Sequence, residues 1–460
     1  MYTLISLSVA GMIAMFLGFL KDRRILLPLT LAFLAIALGL TLYFGWNQPG
    51  VYAQFNYMLM QNNFTVGFSS VIIVTALLIM PLSQRLVRNN DVHLAEYYAL
   101  MIFSLVGAMM MVSYENLLML FIGVEILSIA MYVLAGSDKR NLRSNEAALK
   151  YFLMGAFATG ILLFGMAFVY GATGHFNLTN IAFVISRTGN TPLLTIGILL
   201  MLVGMLFKVS AAPFHFWTPD VYEGTPTIFT AFMATIVKTA GFAALYRLLS
   251  VAFVGVYDIW WTTIAVIAVM TLLIGNITAA YQQSAKRMLA YSSISHAGYL
   301  LIALTALSGA SQKAILFYSL AYSIASVGAF GVLIAVADAK GNDNYEAFNG
   351  LGKSNPSLAL IMTVCSLSLA GIPLTAGFFG KFFIFVSALE QNLTWILIPA
   401  ILMTAVGVYY YFKVIIAMYL KPGDSAEIVL APAYQAALVV ATVATLVLGI
   451  MPQNVIELFK

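Results

Sequence analysis

Apolar runs of about 20 residues follow one another along almost the whole chain. That length crosses a hydrocarbon core about 30 Å thick in a helix rising about 1.5 Å per residue. Charged residues make up 8% of the 460 and hydrophobic ones 62%, whereas a soluble domain is about 25% charged. A water-soluble fold of this size would keep a large wetted area that so few charges could not cover. Lipid is therefore the solvent, and in lipid the backbone must satisfy itself in helices or closed barrels. The runs do not alternate with a period of two, so the chain is expected to be an all-α polytopic membrane protein.

On this ruler the spans fall at 2–20, 25–44, 66–84, 95–113, 116–136, 146–171, 192–216, 226–250, 256–281, 287–308, 311–338, 357–390, 394–420 and 432–451. About 14 transmembrane helices are expected. In the first run the positive charges Lys21, Arg23 and Arg24 follow the apolar stretch, the order of a first transmembrane helix and not of a cleaved secretory signal. The odd-numbered connections hold Lys21, Arg23, Arg24, Arg85, Arg88, Lys139, Arg140, Arg143, Lys286, Arg287, Lys340, Lys353 and Lys421. The even-numbered ones hold Arg187, Arg247 and Lys313, with Lys460 at the far terminus. By the positive-inside rule the odd connections face the cytoplasm and both termini lie outside.

Two spans are irregular. LAGIPLTAGFFGKF interrupts 357–390 at Pro373, and MLFKVSAAPFHFW places Pro213 inside 192–217. Proline removes a backbone donor, and glycine weakens a helix interior. Interrupted spans in corresponding halves point to an ion path built on inverted repeats. The expected organisation is a three-helix segment over 1–94, five-helix repeats over 95–250 and 256–420, and a last helix within 421–460. Lys208 precedes its proline while Lys381 follows its own, so the two halves match loosely.

Four basic residues remain inside spans: Lys208, Lys238, Lys381 and Lys413. Lys413 lies near a helix end and is expected to snorkel to the cytoplasmic interface. Glu125 sits in the middle of NLLMLFIGVEILSIAMYVLAG. An ionised group at mid-bilayer costs about 2.5–3.5 kcal/mol on insertion scales, so such groups pair, face water or do work. A pure staple between Glu125 and Lys208 would leave Lys238 and Lys381 without acidic partners. Lysine suits proton handling, because desolvation favours the neutral amine and a nearby carboxylate favours the charged one.

His296, among Ser292, Ser293 and Ser295, reads either as a bridge between the halves or as a hydrogen-bonded packing histidine. His215, in APFHFW, reads as a structural residue nearer a membrane edge. Lys150 and Glu146 open a helix, as interfacial anchors or with Lys150 in a functional role. The net charge of +5 is scattered between spans and is no nucleic-acid footprint. The single cysteine, Cys365, excludes an intrachain disulfide and a thiolate-ligated iron–sulfur cluster. The chain carries no Walker loop, GxGxxG fingerprint, CxxC or HExxH.

The segments EAALKYFLMGAFATGILLFGMAFVYGATG and LFKVSAAPFHFWTPDVYEGTPTIFTAFMATIVKTAGF resemble the antiporter-like membrane subunits of respiratory complex I. The form WTPDVYEGTP is similar to the subunit N branch, and differs from the PDAH- or PDAM-type stretch of the sister and cation/proton antiporter subunits. The resemblance spans about 95–420 and implies a 14-helix fold with two inverted five-helix repeats. It implies a proton-translocating, non-redox role for Glu125, Lys208, Lys238 and Lys381, with His296 next after Lys238. Glu125 and Lys208 are then the pair that sets proton affinity in the first half. It implies no cofactor in this chain, and NADH, flavin, iron–sulfur clusters and quinone elsewhere in the complex. Expected partners are other membrane-arm subunits, including antiporter-like ones, within a bacterial inner membrane. The competing reading is a subunit of a multisubunit cation/proton antiporter.

Overall fold

The computed structural model describes residues 2–46, 52–54, 57–88, 91–423 and 427–458, so Lys460 lies outside the described residues. Twelve of the described helices are long and apolar enough to cross a membrane. The first six spans are Tyr2–Phe19, Arg23–Gly45, Asn63–Val87, Leu94–Ser113, Leu117–Ala135 and Leu142–Thr173. Spans eight to eleven are Thr227–Ala252, Val254–Ala280, Ala285–Ala306 and Ser311–Lys340; thirteen and fourteen are Thr394–Leu420 and Pro432–Ile450. Spans seven and twelve are each split into two helices. Twelve continuous and two interrupted spans make the expected fourteen.

The seventh span runs as Pro192–Lys208 and resumes as Trp217–Gly224. Thr191 caps its start by accepting from Leu194 N, with Pro192 in the first turn where its missing N–H costs nothing. The twelfth runs as Pro356–Ala370 and resumes as Ala376–Glu390. Gly371 ends the first piece at φ +87°, the left-handed conformation that favours glycine. The two breaks thus fall five spans apart, in spans seven and twelve.

Burial ranks the spans. In span eight the whole apolar window is inside the fold, in span ten 94% of it, in span one only 22%. Spans eight, ten and eleven therefore form the interior, and the first two are peripheral. Without a hydrophobic drive between helices in lipid, close backbone approach holds such bundles together. Gly107 and Gly123 provide one such approach: a Cβ on Gly107 would stand 2.7 Å from the Gly123 carbonyl oxygen.

At the second break a Cβ on Gly377 would stand 1.8 Å from the Ser368 carbonyl oxygen. Gly377→Ala is expected to force the two half-helices apart, at about the 1–3 kcal/mol of an overpacked core. The check is the heat stability of the solubilised protein, which should fall.

Sequence reading missed several elements. Leu178–Thr188 is a short amphipathic helix capped by Asn177, and Tyr52–Gln54 pairs with Leu59–Gln61 in a two-stranded ribbon. Span eight contains π-turns at Met233–Val237 and Leu248–Ala252. Two residues assigned to connections are in fact buried. Arg247 is 4% exposed and pairs with Glu115 in the interior, so it is not a loop charge. Lys286 is 6% exposed; its ammonium donates to the carbonyls of Glu223 at 2.9 Å and Thr225 at 2.6 Å, capping the half-helix Trp217–Gly224. His215 is buried too, with its Nδ1 lacking a hydrogen-bond partner.

Candidate functional site

Lys208 is the last residue of the first half-helix of span seven, and its side chain is buried. A cation belongs there electrostatically, because the helix C-terminus carries partial negative charge. The ammonium donates to Ser128 Oγ at 2.5 Å, and Ser128 donates in turn to the Val124 carbonyl. The Tyr132 ring centroid lies 6.0 Å from the ammonium. Glu125, half-buried, precedes Ser128 by three residues on the same helix and so shares its face.

The direct contact that a Glu125–Lys208 pair suggests is absent among the described ion pairs. Ser128 occupies the place of the carboxylate, because Lys208 reaches the helix one turn beyond Glu125.

Lys238 begins the regular helix that follows the first π-turn of span eight, and it is buried. A π-turn widens the helix by one residue and frequently marks a functional position. The Lys238 ammonium donates to the Ser293 carbonyl at 2.5 Å. Ser210 follows Lys208 by two residues, and Ser293 is the residue whose carbonyl takes the Lys238 ammonium. Both serine hydroxyls are buried without a hydrogen-bond partner among the described residues.

His296 sits one turn beyond Ser293 in span ten. Its Nδ1 lies 2.6 Å from the Tyr318 hydroxyl and its Nε2 3.1 Å from the Tyr411 hydroxyl. Lys238 reaches the Ser293 carbonyl one turn before it, and Lys381 lines one small cavity with it. Both ring nitrogens of His296 are hydrogen-bonded, an arrangement that fits the packing reading as well as the bridge.

Lys381 lies in the second half-helix of span twelve, and its ammonium reaches back to the Ala370 carbonyl at 2.9 Å. Ala370 is the last residue before the break. Lys208 thus ends the first half-helix of span seven, and Lys381 returns its charge to the end of the first half-helix of span twelve. The Tyr299 ring centroid is 4.7 Å from the Lys381 ammonium, and a small cavity is shared by Lys381, His296, Tyr318 and Ser368.

Lys150 stands apart from this row. It pairs with Glu146 at 2.7 Å and Asp220 at 2.8 Å, and Asp220 pairs with Arg287 at 3.3 Å. This half-exposed network ties span six, the second half-helix of span seven and the start of span ten. Lys413, on span thirteen, donates to the Ala280 carbonyl at the end of span nine. Sequence reading missed Ser128, Tyr318, Tyr411 and the buried Glu115–Arg247 pair, because serines and tyrosines in spans are individually unremarkable.

Among the described residues, twelve continuous spans and two interrupted beside buried lysines define a class of polytopic membrane subunit. The chain belongs to the NADH:quinone oxidoreductase/Mrp antiporter transmembrane family, whose model matches residues 114–445. Within it, the NADH-quinone oxidoreductase subunit N of Flavobacterium psychrophilum is 40% identical, with 100% of each chain covered. A chain of respiratory complex I from Thermus thermophilus has a TM-score of 0.84 at 35% identity, over 99% of this chain and 98% of that one. A chain of the Mrp complex from a Dietzia species has a TM-score of 0.87 over 99% of this chain and 95% of its own. Its identity is 21%, so that likeness is one of fold alone. The resemblance drawn from EAALKYF and WTPDVYEGTP is thereby borne out at the level of family.

Proposed function

We propose that this chain carries protons across a bacterial inner membrane as a non-redox, membrane-arm subunit of an NADH–quinone oxidoreductase. The carrying observation is the row Lys208, Lys238, His296 and Lys381, all buried, which runs from one broken helix to the other. A lysine releases or takes a proton as its surroundings change, and hydroxyls or water fill the gaps between successive members. Glu125 biases Lys208 through its charge across the Ser128 turn. Lys381, seated on the carbonyl freed at the second break, serves the far end.

The two five-helix units over 95–250 and 256–420 act as half-paths joined at His296. The odd connections face the cytoplasm and both termini lie outside. Work must come from partners, since moving one charge against 100 mV takes about 2.3 kcal/mol. Those partners hold the NADH, flavin, iron–sulfur and quinone sites, and include other antiporter-like subunits.

The test is to isolate the tagged chain from native membranes under mild detergent. Co-isolation with flavin- and iron–sulfur-containing subunits, and with NADH-driven quinone reduction, is the expected result. Recovery only with other ion-antiporter subunits and no redox activity would sink the proposal and favour the antiporter reading.

A further inference from the structure

Lys208 ends a helix and yet does not cap it. A lysine in the last turn ordinarily turns back to the last carbonyls of its own helix, where partial negative charge collects. At the second break such a seat is used by a lysine: the Lys381 ammonium lies 2.9 Å from the Ala370 carbonyl. At the first break the last carbonyls already have donors. Met205 accepts from Val209 N at 3.2 Å, Leu206 from Ala211 N at 2.9 Å and Phe207 from Ser210 N at 3.0 Å. Phe207 also accepts the indole N–H of Trp217 at 3.1 Å, which fills its second lone pair. The far end of the second half-helix is closed as well, by Lys286 on the carbonyls of Glu223 and Thr225.

Trp217 opens the second half-helix and reaches back across the break, with 2% of its surface exposed. Its ring is stacked on Tyr151, with centroids 4.6 Å and planes 8° apart, and on Phe207 at 5.3 Å and 28°. Tyr222 meets it edge-on at 5.9 Å. These contacts fix the ring by its faces and edge, whatever its nitrogen does. Tyr151 in turn meets Tyr132 edge-on at 4.8 Å, and the Tyr132 ring centroid is 6.0 Å from the Lys208 ammonium. With the Phe207 carbonyl filled, that ammonium crosses to span five and donates to Ser128 Oγ at 2.5 Å. A neutral hydroxyl lacks the partial charge of a helix end, so the crossing needs the nearer seat to be closed.

We infer that Trp217 is a positioning residue for proton translocation: its indole N–H occupies the Phe207 carbonyl and so directs the Lys208 ammonium off its own helix end and across to Ser128. The stack holds the indole in place, and the N–H decides where Lys208 sits. The two breaks then differ in kind, since the freed carbonyl is taken by a lysine at one and by a tryptophan at the other. The inference rests on the proton-carrying reading given above.

The test uses the assembled enzyme in vesicles, with quinone reduction and proton translocation measured together and subunit retention followed on native gels. Trp217→Phe keeps a flat ring in the stack but removes the N–H, which reopens the Phe207 carbonyl to Lys208. Translocation is expected to fall about tenfold, within the roughly 100-fold that misplacing a reacting group by 1 Å can cost. Ser128→Ala removes the distant seat itself and should cost about as much. The double variant separates positioning from packing. If Trp217 acts through the Lys208 seat, Trp217→Phe adds no further loss to Ser128→Ala. If it only packs the break, the two losses multiply to about 100-fold. Cryo-electron microscopy of the Trp217→Phe enzyme should show the Lys208 ammonium on the Phe207 carbonyl. Wild-type translocation by either single variant, multiplied losses, or an ammonium still on Ser128 overturns the positioning role. The lysine row then still stands if Lys208→Ala is impaired, whereas wild-type translocation by Lys208→Ala overturns both. Should Trp217→Phe be lost from the complex, Trp217→Tyr takes the same tests. Loss of both overturns the inference, because it requires the stack to hold the break without the N–H.

Discussion

Lys381→Ala is expected to lower proton translocation by the assembled enzyme about tenfold or more, as expected for removal of a positioned acid–base group. The ammonium lies 2.9 Å from the Ala370 carbonyl and 4.7 Å from the Tyr299 ring centroid, with His296 across a small shared cavity. Truncation leaves the second half-path with no group to receive the proton. It also leaves a carbonyl at the break without its donor, a cost of about 1–3 kcal/mol that the subunit should survive. Lys381→Arg separates charge from proton exchange. Arginine keeps a cation at the break but does not release its proton in a protein. Both variants should therefore fail to pump, Lys381→Arg with the better assembly. A pumping Lys381→Arg enzyme would show that Lys381 acts only as a fixed charge.

The largest effect on stability is expected at Arg247. Arg247 and Glu115 are each about 4% exposed and ion-paired; Arg247 also donates to the Tyr114 carbonyl, and Thr179 donates to Glu115 at 2.7 Å. This cluster joins the turn between spans four and five, the short helix Leu178–Thr188 and the end of span eight. Arg247→Leu strands a buried carboxylate and should cost about 3–5 kcal/mol. Replacing both members by apolar residues should recover much of that loss, since a buried pair barely outweighs its own desolvation. The single cysteine gives a readout: Cys365 is buried, so its labelling by a thiol-reactive mass tag on heating reports unfolding of this chain. Labelling of Arg247→Leu at the wild-type temperature would contradict the buried pair.

The fourteen spans were legible because each needs only a local apolar run, and the breaks because Pro213, Gly371 and Pro373 are local signals. Lys208, Lys238 and Lys381 stood out because charge is rare inside a span. Long-range partnership was not legible. Ser292 and Tyr411 are 119 residues apart, and nothing in either neighbourhood announces their contact. Arg247 and Lys286 misled for the opposite reason. Each lies at a span end, where a basic residue ordinarily faces solvent, and only the fold supplies Glu115 or the freed carbonyls of Glu223 and Thr225. The Glu125–Lys208 relation was half legible: Lys208 is buried and Glu125 half-buried, but the serine one turn on takes the contact.

The central claim is that the buried lysine row carries protons, and Lys208 tests it most directly because it ends the first broken half-helix. The measurement is proton uptake into vesicles holding the assembled enzyme, with quinone reduction followed in parallel, for wild type and Lys208→Ala. The expected result is normal assembly with proton translocation reduced about tenfold. Wild-type translocation by a fully assembled Lys208→Ala enzyme would contradict the account.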